Sequence, residues 1–328
     1  MQIDKKAIKN ILVVRNDRFG EFLLNIPALR ALKETFINTK LIAVVDPYTK
    51  ELAESVLFID EIIEWGRQGH SLLEKLRLIK LLKRKNIDMA VMLNPSKELN
   101  IVTRLAGIPI RVGYERKWGF LLTHKIKDRK HLGQKHEIEY NLELVSLVGA
   151  KTEDKTLFIS IDDNIINDLL QDTGIRDYDN LIAVHPWTSD PVKQWPLEYF
   201  YRLAQRLIRE LNLSVLIIGG KDELDKDAYF RNNLGDNLIN MTGRTTLKQL
   251  AALLKKCRLL ISGDSGPVHL ACAVNIPVIA IFRSDIPGKC ARRWGPWGEG
   301  HMVIEKNNLS DISVDEVFTK VKERLRKD

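Results

Sequence analysis

An alternation restricts the fold of this chain more than any other feature. Short, nearly continuous apolar runs trade places with stretches whose apolar residues recur at helical spacing, and the exchange happens in both halves. In the first half NILVVR (10–15), KLIAVVD (40–46), EIIEW (61–65), DMAVML (88–93) and RVGY (111–114) read as strands. Runs that are apolar on both faces are the mark of parallel strands covered on both sides. Between them, EFLLNIPALRALKETF (21–36) sets Phe22, Ile26, Leu29, Leu32 and Phe36 on one helical face, and HSLLEKLRLIKLLKRKN (70–86) reads likewise. Pro27 falls inside the first of these helices and is expected to kink it, because proline lacks the N–H donor and crowds the preceding turn.

The second half repeats the pattern. LIAVHP (181–186), SVLIIGG (214–220), RLLISGD (258–264) and PVIAIF (277–282) read as strands, with PLEYFYRLAQRLIREL (196–211), TTLKQLAALLKKC (245–257) and GPVHLACAV (266–274) as helices. Alternation of this kind predicts right-handed βαβ units and parallel sheets. Two sets predict two Rossmann-like α/β domains facing across a cleft. The expected division is 1–155, 156–312 and a closing helix over 313–328, opened by a capping box of Ser313 and Glu316. Ligands of such sheets bind beyond the carboxyl ends of the strands, so the residues after each strand are the candidates for chemistry.

Composition narrows the class. At 328 residues, 45% hydrophobic and 29% charged, the chain has the balance of a globular protein of two domains. No apolar run approaches the ~20 residues of a membrane-spanning helix, and MQIDKKAIKN carries no signal-peptide core. Cys257, Cys272 and Cys290 have no metal-ligand spacing and are odd in number. A cytoplasmic protein without a disulfide framework is expected. The net charge of +8 is uneven: between Arg111 and His136 eight Lys/Arg face two acids. Such a stretch, with Arg111 and Arg116, would attract an anionic partner, or is simply a solvated basic loop. It matches no nucleic-acid module.

Four post-strand segments of the second half converge on one chemistry. In GDSGP, Ser265 and Gly266 open a helix with Pro267 at its first turn, an anion site by its free N–H groups and dipole. Asp264 could accept from sugar hydroxyls. Plain helix capping and a core role for His269 are the bland alternatives. HPWTSDPVKQWP supplies the hydroxyls of Thr188 and Ser189 and a lysine, Lys193, that could neutralise a phosphate. Gly219 and Gly220 allow close backbone approach, with Glu223 for a ribose, and Met241 and Thr242 offer a wall and a hydroxyl for a base. Together they fit a nucleotide-diphosphate site. There is no P-loop, no GxGxxG after the first strand and no HExxH. No metal and no cofactor are expected, so Lys193, helix ends and hydroxyls would carry the anion.

The blocks RNDRFGEFLLNIPALRAL, HPWTSDPVKQWP, LIIGGKDE, MTGRTTLKQLAALL and LISGDSGPVHLACAVNIPVIAIF resemble the ADP-heptose:lipopolysaccharide heptosyltransferases, glycosyltransferase family 9. The resemblance implies a glycosyltransferase-B fold, with the acceptor on the N-terminal domain and the nucleotide sugar on the C-terminal one. It implies an inverting transfer of heptose from an ADP-activated donor to an anionic inner-core glycolipid, with peripheral contact at the inner membrane. Family donor contacts fall on Thr188, Ser189, Lys193, Glu223, Met241, Asp264, Ser265, Gly266 and His269. The family's general base falls on Glu21, where aspartate is usual, so the carboxyl reaches one methylene further. Asp17 is a second carboxylate that could share the role or cap the helix, and Gly20 would let the backbone turn beside the acceptor. The basic stretch would face the acceptor or the membrane. Another nucleotide sugar, an epimerase on the same fold, or a binding protein without catalysis are the alternatives.

Overall fold

The computed structural model describes residues 3–67, 69–167, 180–230 and 235–326. The chain divides into two compact units, Met1–Thr156 and Leu157–Asp328. Along the first unit run β1 (Asn10–Arg15), α1 (Phe19–Leu23), α2 (Ile26–Thr35), β2 (Lys40–Val45), α3 (Lys50–Ala53), β3 (Glu61–Glu64), α4 (Leu72–Arg84), β4 (Met89–Met92), α5 (Lys97–Leu105), β5 (Ile110–Tyr114), β6 (His124–Ile126) and α6 (Glu137–Ser146). The strands form one parallel sheet in the order β3-β2-β1-β4-β5-β6. Its order reverses between β1 and β4, which opens a crevice at their carboxyl ends.

The second unit holds β7 (Leu181–His185), α7 (Leu197–Leu211), β8 (Ser214–Ile217), β9 (Leu238–Asn240), α8 (Leu247–Lys255), β10 (Leu259–Gly263), α9 (Gly266–Ala273), β11 (Val278–Arg283), α10 (Ala291–Trp294), β12 (Met302–Lys306) and α11 (Val314–Leu325). Its sheet is also parallel, in the order β12-β11-β10-β7-β8-β9. Counted from its own first strand this is the same winding as the first sheet, with the switch between β7 and β10.

Burial explains the strands. Residues 11–15 of β1 and all of β4, β7 and β10 are buried, as central strands require. In the first unit Leu12, Val14, Ile42, Val44 and Met92 pack with Leu78, Leu82, Leu99 and Val102 of α4 and α5. In the second, Trp195 anchors one face of the sheet, edge-on to Phe200 at 4.6 Å and with its indole N–H donating to Ile312 O at 2.9 Å. Val317, Phe318 and Val321 of α11 complete that core, so the last helix belongs to the second unit.

Two local expectations are corrected. Pro27 does not kink one helix; it begins another. Asn25 breaks the run by turning its amide back on the carbonyls of Glu21 (2.5 Å) and Phe22 (3.2 Å), and Pro27 then sits in the first turn of α2, where no N–H is missed. The capping box of α11 is half made. Ser313 Oγ accepts from Glu316 N at 3.1 Å, but the Glu316 carboxylate pairs with Lys306 at 2.5 Å. A charge-assisted partner outcompetes a backbone N–H.

Candidate active site

Each switch point carries a polar station. In the first unit β1 ends in Arg15, which is buried. Its Nε donates to Asp17 Oδ1 at 2.7 Å, its Nη1 donates to Leu93 O at 3.1 Å, and Glu137 Oε1 lies 3.7 Å away. Glu137, 1% exposed, is held from the other side by Lys130 at 2.5 Å, which also donates to Asn141 Oδ1 at 3.2 Å. Asn141 in turn donates to Leu24 O at 3.2 Å, tying α6 to the junction of α1 and α2. Across the switch, Asn94 donates to Asn16 Oδ1 at 3.0 Å, and Asn16 donates to the carbonyls of Trp65 and Gly66. This scaffold fixes the carboxyl edge of β1 from four sequence-distant elements.

Glu21 stands in the first turn of α1, where the helix dipole favours an acid. Burial raises its carboxyl above the ordinary glutamate range; the nearby Asp17 charge adds to that, while Arg15 opposes it. Asp17 does not cap α1, whose N-cap is Arg18; it belongs to Arg15. Gly20 is not a turn residue either. It is buried within α1 and is not among the left-handed glycines. The basic stretch is divided by the fold. Arg111 is buried, its guanidinium spent on the carbonyls of Leu121 and Ile108, and Lys130 is buried on Glu137. Neither faces a partner. Arg116 remains exposed, paired with Asp128 at 2.9 Å.

In the second unit β7 ends in His185 and runs into a loop clamped by Gln194. That amide donates to Pro186 O and Trp195 O, both at 2.6 Å, and accepts from Thr188 N at 3.2 Å. Thr188 Oγ1 donates to Asp190 O at 2.7 Å, and Ser189 is exposed. A short turn, Pro191–Lys193, then brings Lys193 Nζ to 2.6 Å from Asp264 Oδ2. Asp264 thus spends one oxygen on the lysine rather than standing ready for hydroxyls alone. Gly263 is where a side chain would crowd this corner: a Cβ there would lie 3.3 Å from Thr188 Cγ2.

Ser265 is the N-cap of α9, but its side chain makes no cap bond. Its Oγ lies 2.8 Å from Ser262 Oγ and 3.1 Å from His185 Nδ1. The hydroxyl is spent on that pair and does not cap the helix; Pro267 has no N–H and Val268 N donates to Ser265 O at 3.2 Å, which leaves Gly266 to supply the N–H at this helix end. His269 sits inside α9, buried near Trp294. Sequence reading passed over His185, Ser262 and Gln194. Only the i, i+3 relation of Ser262 to Ser265 was visible; His185 lies on another strand.

Burial pushes the His185 imidazole down to about 3 from an ordinary 6.5. The sign is that of a base held neutral by the fold. Its contribution to stability is complete above about 6.5 and is lost as pH falls from there toward 3. Two results are expected: no imidazole titration of His185 between pH 5 and 8 by NMR, and acid destabilisation of the second unit that His185→Gln reduces.

Four sequence candidates sit otherwise than expected. Glu223 Oε2 accepts from Gly220 N, so one carboxylate oxygen closes the turn after β8. The lack of a side chain at Gly219 is required by packing, since a Cβ there would meet the Trp187 ring at 2.6 Å. Met241 and Thr242 are 1% and 2% exposed, beneath the surface rather than forming an open wall. The Thr242 hydroxyl is buried with no hydrogen-bond partner among the described residues.

Residues 75–320 match the model of glycosyltransferase family 9 (heptosyltransferase). A Haemophilus influenzae protein assigned only provisionally as a glycosyltransferase is 27% identical, over 96% of both chains. The lipooligosaccharide heptosyltransferase 2 of the same organism is 23% identical over 85% of this chain and 84% of its own. Among solved structures, the Escherichia coli ADP-heptose lps heptosyltransferase II superposes with a TM-score of 0.83 at 20% identity, covering 97% of this chain and 99% of that one. At that identity the likeness speaks for the fold.

Proposed function

Because the chain belongs to glycosyltransferase family 9, the heptosyltransferases, we propose that it transfers a heptose from an ADP-activated donor to an inner-core sugar of lipopolysaccharide, with inversion. The observation that carries this reading is Lys193, held at the carboxyl edge of the second sheet beside the start of α9. There an ammonium and the positive end of the helix dipole meet the growing charge of a leaving diphosphate, and preorganised groups of this kind are commonly a large catalytic term. On the first unit, Glu21 accepts the proton of the acceptor hydroxyl as its oxygen attacks the anomeric carbon. The bond to the ADP oxygen breaks in the same displacement. A raised carboxyl pKa suits a base, since proton affinity drives the transfer. On the second unit, Thr188, Ser189, Glu223 and Asp264 are the polar groups for the nucleotide sugar. No metal is assigned a role.

The test is mass spectrometry of products from the purified protein, ADP-heptose and truncated core glycolipids. A product heavier by one heptosyl unit is the expected result. Transfer from UDP- or GDP-sugars instead would keep the glycosyltransferase and replace the donor.

A further inference from the structure

We propose that the first unit docks on an anionic phospholipid surface through the outward leucines at the start of α4 and the aromatic tip Trp118–Phe120. Helix α4 has two apolar sides. Leu78 and Leu82 enter the core, whereas Leu72, Leu73 and Leu76 are 73%, 57% and 51% exposed. The same segment, 71–84, carries five Lys/Arg against a single acid, Glu74. A helix with exposed apolar residues set among cations is the physical form of an interfacial anchor.

The second element is the tip after β5. Trp118 is 46% and Phe120 71% exposed, with ring centroids 5.9 Å apart. Lys117 and Trp118 both have left-handed backbones, φ 47° and 67°, a conformation that bulky side chains adopt at a cost. The next residue permits no side chain, since a Cβ on Gly119 would lie 2.9 Å from Tyr114 O. A strained turn thus holds two aromatic rings outward, flanked by the exposed Arg116, Lys117, Lys125 and Lys127, of which Arg116 pairs with Asp128 at 2.9 Å and Lys125 with Glu115 at 3.0 Å, so the cations outnumber the acids four to two. Indole and phenyl rings among cations suit the headgroup region of a bilayer.

Hydrogen bonds join the two elements through the first turn of α5. Glu98 accepts from Trp65 Nε1 at 2.9 Å and lies 2.8 Å from His70 Nδ1 and 3.0 Å from Lys75 Nζ, which fixes the start of α4. Asn100 donates to Lys117 O at 3.0 Å, which fixes the base of the tip. The strands are parallel, so the segments leaving β1, β3 and β5 all emerge at one edge of the sheet. Glu21 follows β1 at that same edge. The docking surface deepens the reading above, since it would bring a lipid-borne acceptor to the edge that carries the base. Charge decides between occupants: an acid-poor, cation-rich rim complements an anionic bilayer and repels a second copy of itself.

The experiment is vesicle co-sedimentation of the full chain, with ADP binding measured by calorimetry on the same samples. Wild-type protein should bind phosphatidylglycerol-rich vesicles, release with salt, and ignore phosphatidylcholine vesicles. Leu72→Ser with Leu76→Ser, and Trp118→Ser with Phe120→Ser, should each weaken binding by about tenfold or more at an unchanged melting temperature. Wild-type protein that stays in the supernatant, or variants that bind as wild type does, would overturn the proposal. So would a lipid-free dimer that the leucine variants dissociate. Intact ADP binding and transfer to a detergent-dispersed acceptor in such a case would spare the catalytic reading, while failure of those two alone would spare the docking surface.

Discussion

Glu21→Gln is expected to lower transfer by about 10²–10⁴-fold, the usual yield of a positioned general base, with ADP affinity unchanged. The same substitution should not lower the melting temperature at neutral pH, and should raise it slightly. The reason is the sign of the carboxyl's displacement. Burial and the Asp17 charge raise the folded-state pKa of Glu21. What the residue contributes to stability is therefore present below the ordinary range, about 4.3, and is lost as pH rises through the folded value. At pH 7 an ionised Glu21 works against the fold, and a neutral amide of the same shape removes that cost. The pH–rate profile should show an acid limb lying above the ordinary glutamate range. Asp17→Asn removes the like charge and should move that limb to lower pH. Wild-type turnover in Glu21→Gln would take the base role away from this residue.

Lys193→Ala should produce the second large effect, and it should show in binding as well as rate. Loss of a hydrogen bond to a charged partner is worth about 1.5–3 kcal/mol, roughly 10- to 150-fold in ADP affinity. The variant also leaves Asp264, whose side chain is 8% exposed, without the ammonium at 2.6 Å. A drop in stability of about 1–3 kcal/mol is expected from that loss. Combining Lys193→Ala with Asp264→Asn separates the two consequences. The pair should recover stability, because a neutral amide does not need the lost ammonium, yet should not recover ADP binding. Calorimetry showing wild-type affinity in Lys193→Ala would remove the lysine from the diphosphate.

Legibility in the sequence failed at one edge of each sheet. The central strands β1, β4, β7 and β10 announce themselves because both faces are covered and nearly every residue is apolar. The edge strands β6, reading HKI, and β12, reading MVIEK, are only partly buried and carry lysines and a glutamate. No continuous apolar run marks them, and neither was expected. Helix α5, KELNIVTRL, escaped for a related reason: its nine residues give too few turns for its periodicity to stand out. At the sites, the acid after β1 and the Ser265-led helix start were readable from local order. Their supports were not, since Glu137 lies 122 residues from Arg15, and His185 80 from Ser265.

By itself the sequence determined the two doubly wound sheets and the post-strand positions of Glu21, Lys193 and Ser265, because each is written in local periodicity and spacing, while the family is carried by its resemblance in motif blocks such as GDSGPVHLA. Only the tertiary structure decided which charges face inward. Arg111 and Lys130 look the same in sequence as the exposed Arg116 and Lys117, and a cation's fate depends on whether the fold brings an acceptor to it. Carbonyls of Ile108 and Leu121 reach the first, and the Glu137 carboxylate reaches the second. Desolvating a cation is costly unless such a partner arrives, and that arrival is a property of three-dimensional proximity alone.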